Sequence, residues 1–284
     1  MPIEWQRSKA CWQPLNQSGV TIPTARGSTL KTLFLAWQDP NSRTWFPVGR
    51  LTHEHGLYRF TYLQGALDAR EQAGFESILS FPQFDHSYVS SDLFPLFANR
   101  LLRPSRPEYK DFIQWLNIPE HQDDPIALLA RSGGKRKTDN FEVFPCPEQE
   151  AGGNYHIHFF THGLRHFPEA EQQHVQTLPP DTPLWLMHDL QNSFDSRALV
   201  LRTEDRHQVG YCPRYLAQDL YELVSKFPDQ VKAKVERVNP SPTPLQFRLL
   251  CNLTAPWLEG FEPFSSPSYH PLSEAPATMG SAAS

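Results

Sequence analysis

Proline is the feature that most limits what this chain can build: 27 prolines are spread over 284 residues. Each one removes a backbone donor and fixes φ, which ends helices and confines the residue to turns and strand edges. The expectation is therefore short elements joined by many loops. A hydrophobic content of 39%, with 12% aromatic, still supplies material for real cores. At roughly 100–200 residues per domain, the length allows one large domain or two ordinary ones. No stretch approaches the ~18 apolar residues of a membrane helix. The start, MPIEWQRSKACW, has no apolar run behind its charges, so no secretory leader is expected.

Between the breaks the pattern changes along the chain. LKTLFLAW, TWFPVGRL and LYRFTYL read as strands, with Tyr58, Phe60 and Tyr62 on one face. Helical patches follow: GALDAREQ, a helix capped by Asp92 over DLFPLFANRLL, one opened by Pro107, and one opened by Asp124-Pro125 over PIALLARS. From residue 154 onward strands dominate (YHIHFFTHG, PLWLMHD, RALVLRT, QVGYC, VKAKVERV, LQFRLLCNL). RYLAQDLYELVSKF is the one clear helix of that half. The expected class is α+β: a mixed α+β domain over 29–147, a linker at 148–154, and a small SH3/OB-like β-barrel over 155–260. Residues 1–28 and 261–284 carry too little apolar surface to order themselves and are expected to be disordered tails.

The chemistry-bearing residues exclude more than they suggest. Cys11, Cys146, Cys212 and Cys251 form no C-x-x-C pair, so no zinc ribbon or redox motif is expected, and their low density suggests a reduced, cytoplasmic protein. His156, His158, His162 and His166 lie close together, but no Cys or carboxylate sits at partner spacing, so neither metal nor other cofactor is expected. SGGKRKT is no phosphate loop, because Arg136 follows Gly134-Lys135 where Ser or Thr would stand. No catalytic constellation is legible, and a non-enzymatic protein is expected. A net charge of −5 excludes a broad basic stripe, so any nucleic-acid contact is local.

One ordered set of short strings is more specific. FFTHGLRHF, LWLMHDLQNSFDSRALVL and QVGYCPRYLAQDL resemble, in order and spacing, the HIRAN domain over about 155–258. The resemblance implies capture of the free 3′ end of single-stranded DNA. By that resemblance Arg165 meets a backbone phosphate, and Asp195 accepts from the 3′-hydroxyl. Asn192 shapes the turn before it. His166 and Phe194 stand where the family often has Tyr, and Tyr211 where a pocket-lining ring falls. The physics is coherent: guanidinium donors suit phosphate, aromatic faces stack on any base, and a carboxylate accepts from a hydroxyl but repels a phosphate. The segment 33–147, through FPVGRL, LSFPQF, FPLFANRLL and PIALLARSGG, resembles the N-terminal subdomain of HipA-type toxin kinases, without the kinase body. This implies a protein-binding role for residues 29–147. Two alternatives stay open: a toxin–antitoxin-type regulator that docks on a separate kinase with the barrel as scaffold, and a metal-dependent hydrolase using the histidine cluster.

Overall fold

The structure is a computed structural model that describes residues 31–119, 123–150 and 152–273. The expected tail at 1–28 and residues 274–284 lie outside the described residues. Two compact units emerge. One comprises Met1–Arg100, Gly134–Phe144 and Ser265–Ser284, the other Leu101–Gly133 and Pro145–Phe264.

The first unit is built on a five-stranded sheet. Its strands are β1 (Lys31–Gln38), β2 (Trp45–Glu54), β3 (Leu57–Tyr62), β4 (Ser87–Ser90) and β5 (Phe141–Pro145), in the order β4-β3-β2-β1-β5. Helix α1 (Gln64–Ala73) and the single turn α2 (Pro95–Ala98) accompany it. The alternation noted in LYRFTYL places Phe60 and Tyr62 in the core beside Phe34, Phe81, Phe97 and Phe144, all fully buried. The Tyr62 hydroxyl is satisfied there, donating to the Phe81 carbonyl at 2.8 Å and accepting from the Ile78 N–H at 2.7 Å. Asp92 does not cap a long helix: Phe94 precedes α2, and the helix lasts four residues. Pro107 likewise precedes helix α3 (Tyr109–Leu116) rather than occupying its first position. In the basic knob, Lys135 pairs with the buried carboxylate of Glu142 at 3.0 Å, and the Gly134 carbonyl accepts from Arg100 at 2.9 Å. Those contacts give the SGGKRKT turn a structural role.

The second unit holds a seven-stranded sheet of β6 (Glu148–Gln149), β7 (Asn154–Phe160), β8 (Pro183–His188), β9 (Leu199–Arg202), β10 (Gln208–Tyr211), β11 (Lys232–Val238) and β12 (Leu249–Pro256). The order is β10-β9-β8-β11-β12-β7-β6. The sheet curls until the chain just past β7 meets β10. His162 N–H donates to the Tyr211 carbonyl at 2.8 Å, and Tyr211 N–H to the His162 carbonyl at 2.9 Å. This bridge closes the small barrel that the short, evenly spaced strands lead one to expect. Gly210 permits the crossing: its φ is +125°, and a Cβ there would lie 2.6 Å from Cβ of Thr161.

The unit boundaries differ from the contiguous segments expected from sequence. Helices α3 and α4 (Pro125–Ser132) bury Phe112, Leu116 and Leu128 against Phe160, Phe247 and Leu250 of the second unit. An amphipathic face goes where apolar surface is available, and sequence adjacency does not decide that. Asp124 opens α4 as expected, accepting from the N–H groups of Ile126 and Ala127. Part of the expected linker is strand, since Glu148 and Gln149 pair with His156 and Tyr155. The described part of the expected second tail is also ordered: Phe261 and Phe264 are buried in the second unit, and Tyr269 packs edge-on to Phe34 in the first. Helix α5 (Glu169–Thr177) was not anticipated, because Val175 is its one buried residue and its apolar period is faint. The last helix, α6 (Ala217–Lys226), lies where RYLAQDLYELVSKF indicated.

Candidate functional site

The candidate residues gather around Tyr211, where the barrel closes. On one side runs the turn after β7. Gly163 takes φ +73° and opens a short 3-10 turn, Leu164–His166. A Cβ on Gly163 would stand 3.0 Å from the Tyr211 ring, so the turn lies directly against that ring. Phe167 follows, buried, with its ring 5.4 Å from that of Tyr211. Arg165 and His166 point into solvent at the top of this turn, and Arg165 Nε lies 3.3 Å from Nε2 of His166.

On the other side lies the loop between β8 and β9. Asp189, which the sequence reading passed over, anchors it. Its Oδ2 accepts from the Tyr211 hydroxyl at 2.8 Å and from Nδ2 of Asn192 at 3.1 Å. The bond from Tyr211, followed by that from Asn192, holds the Asp189 carboxyl below the usual carboxylate range. Asn192 in turn accepts from the N–H groups of Phe194 and Asp195, both at 3.0 Å. Asn192 thus shapes the turn, as its residue type suggested. The consequence is that Phe194 is pushed outward: its ring is 80% exposed. Leu190, at 81%, Trp185, at 55%, and Met187, at 40%, are the other large exposed apolar side chains of this strand and loop.

Asp195 is not a free acceptor. Its Oδ1 takes the Arg197 N–H at 3.0 Å, and its Oδ2 takes Nε of Arg214 at 2.6 Å. Arg214 also donates through Nη2 to the Phe194 carbonyl at 2.9 Å, so one guanidinium ties both ends of the Phe194-Asp195 step. The sequence offered Arg214 only as a residue of the CPRY turn, with no periodic signal to single it out. The ion pair alters the electrostatics expected of an isolated carboxylate: the Arg214 charge offsets the repulsion that Asp195 would exert on a phosphate.

The structure thus joins Tyr211, Asn192, Phe194 and Asp195 through Asp189 and Arg214, with Arg165 and His166 on the turn at the far side of Tyr211. Among the described residues no hydrogen bond links those two to Asp195. The four neighbouring histidines do not gather into one group: the His156 and His158 rings touch, with centroids 4.5 Å apart, but each has its own further partner. His156 faces Glu150 at 2.9 Å, His158 lies 3.2 Å from Asn252, His162 serves the barrel closure through its backbone, and His166 lies beside Arg165. Burial, then the charge of Arg131, pushes His158 down to about 3, so it stays neutral.

No curated protein matches the chain. Two solved structures are similar to part of it. A protein from Lactobacillus plantarum shares 18% identity over 36% of this chain and 97% of its own, with a TM-score of 0.29. The HIRAN domain of human HLTF shares 18% identity over 37% of this chain and 81% of its own, with a TM-score of 0.28. A family model gives the more direct assignment: residues 154–256, which contain every residue of the Tyr211 pocket, match the HIRAN domain.

Proposed function

We propose that the barrel unit captures the 3′ end of single-stranded DNA at the Tyr211 pocket. The observation that carries the reading is Phe194: a residue 80% exposed, yet with its backbone fixed by Asn192 at the N–H and Arg214 at the carbonyl. A phenyl ring costs free energy in water, and presenting it on a hydrogen-bonded turn suits a stacking platform for a base. Arg165 and Arg214 supply guanidinium groups on either side of Tyr211 for backbone phosphates. Asp195 keeps lone pairs that can accept from a terminal hydroxyl while Arg214 holds it in place. The net charge of −5 is compatible with this, because the pocket reads a terminus rather than a long backbone.

Residues 29–147 would then dock a protein partner, as the likeness of residues 33–147 to HipA N-terminal segments implies. Leu57 and Val89, at 47% and 48% exposed, lie on β3 and the edge strand β4, and Leu79 is 97% exposed. An unpaired edge with apolar side chains suits strand addition. Among the described residues Cys212 and Cys251 are buried free thiols. No described helix is long and apolar enough to cross a membrane.

The test is a titration of the full chain with short single strands differing only at the 3′ terminus. Tighter binding of the free 3′-hydroxyl supports end capture. Equal binding of free and phosphorylated ends overturns it, and no binding at low salt moves the regulator reading ahead.

A further inference from the structure

A second group of chemistry-bearing side chains stands apart from the DNA-end pocket, between α5 and the turn that joins β9 to β10. His174 and Glu171 come from α5; Asp205 and His207 come from the turn. The two imidazoles stack with centroids 3.9 Å apart and planes 23° from parallel. Asp205 Oδ2 faces both, 3.9 Å from Nε2 of His174 and 3.8 Å from Nε2 of His207. One ligand atom from each of the three residues falls within 4.8 Å of the other two.

The placement of the donor atoms is what makes this group a site. Nδ1 of His207 lies 2.9 Å from Glu171 Oε2, and a carboxylate can only accept, so that nitrogen carries the proton. Nε2 of His207 is therefore the ring nitrogen left for a ligand, and it faces the Asp205 oxygen. Nε2 of His174 is shut off from solvent and has no hydrogen-bond partner. Asp205 already accepts from the Thr203 hydroxyl. One nitrogen from each imidazole and one Asp205 oxygen thus lie close together between α5 and the β9–β10 turn. A buried nitrogen without a partner is costly, and a cation bound there would satisfy it together with the other two groups.

We propose that His174 Nε2, His207 Nε2 and the Asp205 carboxylate bind a divalent transition-metal ion of the zinc class. Glu171 is a positioning residue that fixes the His207 tautomer from behind, as carboxylates behind metal-bound histidines do. Two nitrogens and one oxygen suit such an ion and leave a fourth position for water. Bonds of ~2.0–2.1 Å require ligand atoms roughly 3.4 Å apart in a tetrahedron, so the stacked imidazoles must splay to bring both ring planes onto the ion, and the two nitrogen–oxygen separations must close by about 0.5 Å. Asp205 is 61% exposed, on a surface turn, and can make that move. The ion would clip the β9–β10 turn to α5 and so brace the strand that ends at Tyr211.

The experiment uses the full chain, stripped with chelator and titrated with ZnCl2 by calorimetry and with CoCl2 by visible absorption. One equivalent of Zn2+ and the d–d bands of four-coordinate Co2+ are expected. Asp205→Asn and His174→Gln should each weaken uptake at least ~10-fold, and Glu171→Gln by about 10–100-fold. His156→Gln combined with His158→Gln should leave it unchanged. No uptake at about 0.1 mM Zn2+ overturns the proposal. So does uptake that survives Asp205→Asn and His174→Gln, or that is lost in the His156/His158 variant. Because all readouts are made without DNA, they stand independently of the end-capture reading.

Discussion

Removing either half of the Asp195–Arg214 pair should move end discrimination in opposite directions. A 3′-phosphate in place of a 3′-hydroxyl removes a donor and adds one to two negative charges. Near an unpaired carboxylate at about 4 Å, each charge would cost roughly 4 kcal/mol at an effective dielectric constant of about 20. Arg214, 2.6 Å from Asp195, cancels most of that repulsion. What remains in the wild type is the lost hydrogen bond to a charged acceptor, about 1.5–3 kcal/mol, or a preference of roughly 10- to 100-fold for the hydroxyl. Asp195→Ala should reduce that preference to near unity, because acceptor and repulsion both vanish while Arg214 stays to meet phosphate. Arg214→Ala should weaken both strands yet widen their ratio beyond the wild-type value, because Asp195 is no longer offset. Fluorescence anisotropy with labelled strands of equal length, at one fixed salt concentration, reads both ratios. A turn that merely needs this ion pair for its shape would lose discrimination in both variants alike. That result, or equal wild-type affinity for the two ends, would refute the reasoning.

Phe194→Ala should leave stability within about 0.5 kcal/mol, because the ring is already in water, yet cost ~1–3 kcal/mol in affinity for both strands; thermal melts beside the anisotropy separate the two effects. Gly210→Ala forces a Cβ to within 2.6 Å of Thr161 Cβ at φ +125° and should destabilise by about 1–3 kcal/mol in urea titrations, with the barrel closure giving way first. Asp219 is pushed up to about 7 by burial, and its Oδ2 has no partner, so the folded unit keeps a proton that the unfolded chain has lost. Its share of stability is full below about pH 4 and declines as pH rises from there to about 7, by roughly 4 kcal/mol at most; Asp219→Asn should flatten that decline, measured by denaturation at pH 5 and pH 8.

The sequence alone determined most strands and the last helix of the second half of the chain, in their order, though not α5. Period-two alternation with regular breaks specifies short strands, because side chains in a strand alternate faces and proline cannot continue a ladder. It also specified the Asn192 turn and the Asp124-Pro125 helix start, since those rest on hydrogen bonds within three residues. The ordered strings around Arg165, Asn192, Asp195 and Tyr211 singled out residues that the fold brings to or near Tyr211; each string is a local turn with its own chemistry. Only the tertiary structure decided which distant groups meet. Asp189 under Tyr211, Arg214 on Asp195, and α5 beside the β9–β10 turn are contacts made across 19 to 36 residues. Nothing in local periodicity encodes them, and the apolar face of α3 found its partner in Phe160 and Phe247 across the expected domain boundary in the same way. Pairing between side chains depends on where the closed barrel brings its strand ends, and that closure is a property of the whole sheet.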